Sequence, residues 1–135
     1  MTATKLFDFL GRVLMAAVFV NALPAKLTDF AGTSAYIASK GVPAGLANVL
    51  LVGAIVALIA GTILLVFGAD TTLGASLLLV FLVPTTLIFH TFPVDGGFFM
   101  NLALIGGLLL AITRARANAV PSFNNPRAKA HFRHE

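Results

Sequence analysis

Apolar residues run through this chain in four long blocks, each bounded by a cluster of Gly, Pro, Asp or Lys. The first extends from about Leu6 to Lys26, the second from Ala44 to Phe67, the third from Thr71 to Phe92 and the fourth from Phe98 to Thr113. A membrane-spanning helix needs about 20 apolar residues, within a range of roughly 17–25. The first three blocks meet that length. The fourth has 16 residues and reaches it through Arg114 and Arg116, whose long side chains snorkel to the headgroups. The breaks have chemical causes. Gly41-Val42-Pro43 opens the second helix, with Pro43 expected at its first helical position. Gly68 is expected as a helix C-cap and Asp70 as the next N-cap. Pro93 to Gly97 reads as a turn. The connection from Leu27 to Lys40 mixes Asp29, Thr33, Ser34, Tyr36 and Ser39 with Phe30 and Ile37. It is expected to lie at the membrane surface, in part as a short helix. The fold class is therefore all-α: a four-transmembrane-helix bundle with a short interfacial segment after the first helix.

Composition removes the alternatives. The 135 residues are 59% hydrophobic and 10% charged, against about 45–50% and about 25% in soluble domains. Such a chain does not make an ordinary cytosolic enzyme, a disordered segment or a nucleic-acid-binding module. It has no cysteine, which excludes disulfides, thiolate metal sites, Fe–S ligation and thiol redox chemistry within the chain. Asp8 and Arg12 interrupt the first block and no small-residue cleavage motif follows, so it reads as a retained helix rather than a cleaved leader.

The net charge is +4, and five of the nine Lys/Arg residues follow residue 113. This is a topology signal rather than a nucleic-acid footprint. Lys5, Arg12 and the five late residues share one side of a four-helix arrangement, against Lys26 and Lys40 on the other. Seven against two places both termini in the cytoplasm. The expected organisation is a transmembrane domain over residues 1–116 and a basic, irregular cytoplasmic tail over 117–135.

Lipid is as apolar as Leu, so helices associate through close packing and polar contacts. Gly53, Ala57 and Gly61 recur every four residues and predict one face for close approach of another backbone. Gly74-Ala75-Ser76 and Gly106-Gly107 predict the same on the third and fourth helices. Pro84 leaves the carbonyl of Val80 without a partner and predicts a kink, with Thr85 and Thr86 helping to satisfy the loosened backbone.

Polar residues within the bilayer are costly and therefore few. Asp8 and Arg12, four apart, share a helical face. They read as a neutralised pair at one interface, or alternatively Arg12 faces the bundle and binds an anionic or quinone-like headgroup. Asn21, Lys26, His90 and Asn101 all fall near the opposite ends of their helices and are expected to converge on one outward-facing polar pocket. His90 is not expected to ligate haem or metal, because the other histidines, His131 and His134, belong to the tail on the other side. No G-x-S-x-G, H-E-x-x-H, G-x-G-x-x-G or phosphate-binding loop is present. No catalytic residue is assigned, and the chain is not expected to be an enzyme on its own.

Several stretches resemble the DoxX family. Gly11-Arg12-Val-Leu-Met-Ala-Ala-Val-Phe followed by Pro24-Ala-Lys26-Leu resembles its first helix, and Gly41-Val42-Pro43 its lead into the second. Phe81-Leu-Val-Pro84-Thr-Thr-Leu-Ile-Phe-His90 resembles the third helix, and Phe99-Met-Asn101-Leu-Ala-Leu-Ile-Gly106-Gly107 the fourth. The resemblance spans about residues 6 to 113. It implies a four-helix protein of the bacterial plasma (inner) membrane. Some family members are similar to the small membrane subunit of a thiosulfate:quinone oxidoreductase, others associate with redox-defence partners, and a distant eukaryotic relative is a cargo receptor. Many carry a Glu in the second helix, where this chain has Val56-Ala57-Leu58-Ile59-Ala60-Gly61. Chemistry that depends on that carboxylate is not expected here.

The leading expectation is a non-catalytic subunit or scaffold of a membrane complex, with no covalently bound cofactor and a quinone or lipid as ligand. The alternatives are the membrane subunit of a quinone-linked oxidoreductase and a small-molecule or lipid transporter. The expected partners are the lipid bilayer and other membrane or membrane-associated subunits, or further copies of the chain, and not nucleic acid.

Overall fold

A computed structural model of the chain describes residues 2–68 and 70–119. Among these residues six helices follow in order: α1 (Ala3–Asn21), α2 (Leu23–Thr28), α3 (Phe30–Ser39), α4 (Ala44–Phe67), α5 (Thr71–Phe89) and α6 (Gly96–Ala119). No strand is present among the described residues. Among the described residues four spans are long and apolar enough to cross a membrane: Ala3–Thr28, which joins α1 to α2, then α4, α5 and Gly96–Asn118. Large apolar side chains such as Leu14, Val49, Val80 and Leu110 are exposed all around the bundle. In water this surface would drive association; in a bilayer it is the solvated face.

Local chemistry sets the helix ends. The Thr2 hydroxyl accepts the Lys5 N–H at the start of α1. Pro24 has no N–H to give, and the first span breaks into α1 and α2 at Ala22 rather than running straight to Lys26. Asp29 then accepts the Gly32 N–H at 3.0 Å and starts α3, so most of the Leu27–Lys40 connection is helical. Pro43 is the N-cap of α4, one place before the expected first turn. Gly68 closes α4 at φ +71°, a left-handed conformation that glycine adopts without strain. Asp70 accepts the Leu73 N–H at 2.9 Å and opens α5. That helix stops at Phe89, short of Phe92, where the turn before Pro93 begins. α6 continues beyond Thr113 and residue 117 to Ala119, because nothing between Thr113 and Asn118 breaks a helix and both Arg114 and Arg116 favour one. The rest of the expected tail, with His131 and His134, lies outside the described residues.

The α4–α5 hairpin packs most tightly. A Cβ on Gly74 would lie 2.6 Å from the Leu65 nitrogen and 2.9 Å from the Gly61 oxygen; one on Gly61 would lie 2.8 Å from Leu78 Cγ. Leu58, Leu65, Ala75, Leu78 and Leu82 fill the seam, joined by Phe19 from α1 and Leu108 from α6. The expected small-residue face is therefore used at one end only. Gly61 carries the helix contact, whereas a Cβ on Gly53 would meet nothing within 4 Å. On α6, Gly107 abuts Met15 and Gly106 is open. In α5 the hydroxyls of Thr85 and Thr86 return to the carbonyls of Phe81 and Leu82, each at 2.7 Å.

Candidate functional site

Where α4 and α5 are not held together by Gly61 and Gly74, a cavity of about 480 Å³ lies between α3, α4 and α5. Its walls are mainly apolar: Ile37 from α3, Leu50, Gly53 and Ala57 from α4, and Val80, Phe81, Pro84 and Ile88 from α5. Small-molecule sites are commonly concave and apolar, with a few placed polar groups, at volumes of roughly 300–1,000 Å³. Here the polar groups come from Lys26, His90, Tyr36, Thr33 and Thr85.

Each has a defined position. Lys26 is half-buried; its Nζ donates to the Ala22 carbonyl at 3.0 Å and sits 5.8 Å from the centre of the Phe81 ring. An ammonium has three N–H donors, so the Ala22 bond leaves two for a ligand. His90 ends α5, and its Nδ1 lies 2.9 and 3.0 Å from the two carboxylate oxygens of Asp95. An ionised carboxylate only accepts, so Nδ1 carries the hydrogen and the Nε2 of a neutral ring remains an acceptor. The hydrogen bond from His90 holds the Asp95 carboxyl below its ordinary range, and the backbone N–H groups of Phe98 and Gly97 act in the same direction. Gly97 leaves room for the ring, because a Cβ there would fall 2.6 Å from His90 Nδ1. The Thr33 and Thr85 hydroxyls are already engaged by the carbonyls of Asp29 and Phe81. Tyr36 stacks on Phe89 with ring centres 5.2 Å apart, and Lys40 Nζ lies 5.4 Å from the Tyr36 ring.

Of the residues expected to converge, the structure brings Lys26 and His90 to one cavity. Asn101 is not in its lining: it is 5% exposed and donates to Thr86 Oγ1 at 3.0 Å, between α5 and α6. Asn21 is exposed at the end of α1. It follows the buried Phe19 by two positions, a rotation of about 200° around the helix, which turns it away from the bundle.

Arg12 lies at the other end of the bundle. Its Nε pairs with Asp8 at 3.1 Å, and its Nη1 donates to the carbonyls of Leu65 and Val66 at 2.9 and 3.1 Å. These carbonyls belong to the last turn of α4, where no intrahelical donor remains and the helix dipole is negative. Asp8 also holds Arg114 at 3.0 Å. Arg12 thus joins α1 to α4 while Asp8 joins α1 to α6. Sequence reasoning found the Asp8–Arg12 pair from its spacing but missed Arg114, which is remote in sequence. It also missed Asp95 as the partner of His90; a carboxylate five residues beyond a helix-terminal histidine, across a Pro-Gly turn, was the available signal.

The DoxX family model matches residues 7–91, from within α1 to Thr91 just after His90. Over 120 residues the chain is 32% identical to inner membrane protein YqjF of Escherichia coli (strain K12), an alignment that covers 85% of this chain and 89% of the relative. No solved structure matches. With more than half its length matched by the family model, and a relative of this identity along most of both chains, this four-span integral membrane protein belongs to the DoxX family.

Proposed function

We propose that the chain is a membrane subunit, non-catalytic by itself, that holds a quinone or a lipid in the cavity between α3, α4 and α5. The observation that carries this reading is a half-open cavity of about 480 Å³ with a mainly apolar wall, with Lys26 and His90 on its lining. Such a lining takes a ring or an acyl chain, and the two nitrogen-bearing side chains take a polar head. No catalytic constellation accompanies them, so the ligand is bound rather than converted by this chain alone. Other membrane subunits, or further copies of this chain, are its partners in this reading.

The membrane proposed is the bacterial inner membrane, the location stated in the name of the Escherichia coli relative. Both termini are proposed to be cytoplasmic, from the excess of Lys/Arg on that side. The Asp8–Arg114 bridge supports a common side for the start of α1 and the late part of α6.

Purification in a mild detergent, followed by mass spectrometry of bound proteins and small molecules, tests the proposal. A quinone or lipid retained at about one per chain, above its proportion in the bulk extract, is expected. Recovery of membrane lipids only in their bulk proportions contradicts it.

A further inference from the structure

Charge around the cavity is one-sided. Lys26 lines it and no carboxylate does. The two acids of this end of the bundle are committed elsewhere: Asp29 caps α3 through the Gly32 N–H, and Asp95 receives His90 and the Phe98 N–H. Among the described residues neither Lys26 nor Lys40 makes an ion pair. An ammonium held against an apolar wall is unfavourable without an opposing charge. Beyond Lys26, small residues of α4 line the space. Gly53 has nothing within 4 Å of where a Cβ would be, and Ala57 and Pro84 also line the cavity.

We propose that the ligand is a single-chain amphipath with an anionic carboxylate or phosphate head, the anion on Lys26 and the acyl chain along Gly53 and Ala57. The inference rests on the cavity being a ligand site and specifies what that site selects. A neutral quinone carbonyl also accepts a hydrogen bond from Lys26, but it leaves the ammonium charge uncompensated. A fatty carboxylate or a monoacyl phosphate compensates it and fills the apolar space as well.

The test measures binding of radiolabelled oleate to the full chain in non-ionic detergent. Oleyl alcohol, monooleoyl phosphate, inorganic phosphate and a short-chain quinone serve as competitors. Oleate and monooleoyl phosphate are expected to bind about tenfold more tightly than oleyl alcohol, the effect of one charge-assisted contact. Lys26→Met should abolish that preference and Lys26→Arg should keep it. Inorganic phosphate should not compete, because it lacks the chain; competition by it overturns the acyl part of the proposal. Equal binding of oleyl alcohol and oleate to the unaltered chain overturns the anionic head, whether or not the Lys26 variants fold. If the alcohol or quinone binds as tightly as oleate and Ala57→Leu abolishes that binding, the cavity reading survives and the anion assignment falls. If neither oleate nor the quinone binds, both fall.

Discussion

Asn101 on α6 donates from Nδ2 to the Thr86 hydroxyl on α5 at 3.0 Å, and Thr86 donates in turn to the Leu82 carbonyl. Both residues are buried, so the pair fastens α6 to α5 beside the cavity without entering it. Interhelical hydrogen bonds in membrane proteins average about 0.6 kcal/mol and reach about 1.7. Asn101→Leu should destabilise the bundle by about 1 kcal/mol and leave ligand binding intact. Thermal unfolding in detergent, run beside the ligand assay, checks both parts.

Gly74 and Gly53 should respond oppositely to the same substitution. Gly74→Ala drives a methyl into the α4 backbone, with the Leu65 nitrogen 2.6 Å away, and should cost about 1–3 kcal/mol. Gly53→Ala meets open space and should stay within about 0.5 kcal/mol of the unaltered chain. Melting temperatures of the two variants test the asymmetry directly.

Arg12 and Arg114 share Asp8 but differ in what else they do. Arg12 is 17% exposed in its side chain and also caps two α4 carbonyls; Arg114 is 50% exposed and makes the ion pair at the bundle surface. Arg12→Ala should cost about 1–3 kcal/mol, since it strands the two α4 backbone acceptors and leaves Asp8 with Arg114 alone. Arg114→Ala should cost about 0–1 kcal/mol. Equal losses in chemical denaturation would refute this assignment.

Asp95 gives the account a pH dependence. Its folded value is depressed, chiefly by the His90 hydrogen bond, so its contribution is fully present above the ordinary aspartate value. That contribution is lost as pH falls through the lowered folded value. The melting temperature of the unaltered chain should exceed that of Asp95→Asn near neutrality, and the difference should vanish in strong acid. A difference that persists undiminished in strong acid contradicts the pairing.

The fold was readable because its signals are local. Four apolar blocks, Gly68 at a positive φ and the Asp70 cap each act within a few residues. The candidate site was legible only in part. Lys26 and His90 could be placed at one end of the bundle, but a hydropathy plot does not set the rotation of a helix. That rotation sends Asn21 to the surface and Asn101 to Thr86. The same uncertainty made Gly53, Ala57 and Gly61 look equivalent. Only Gly61 meets α5 closely, and the other two line the space that remains.

The central claim is that this space holds a ligand, and Ala57→Leu tests it most directly. Ala57 lines the cavity, whereas the α4–α5 contact is made at Gly61 and Gly74, so a larger side chain there occupies ligand space rather than the helix seam. The measurement is the amount of quinone or lipid retained per chain after mild purification, compared with the unaltered protein at matched melting temperature. The account predicts that Ala57→Leu folds normally and loses the retained molecule. A variant that folds normally and retains the same molecule in the same amount would contradict it.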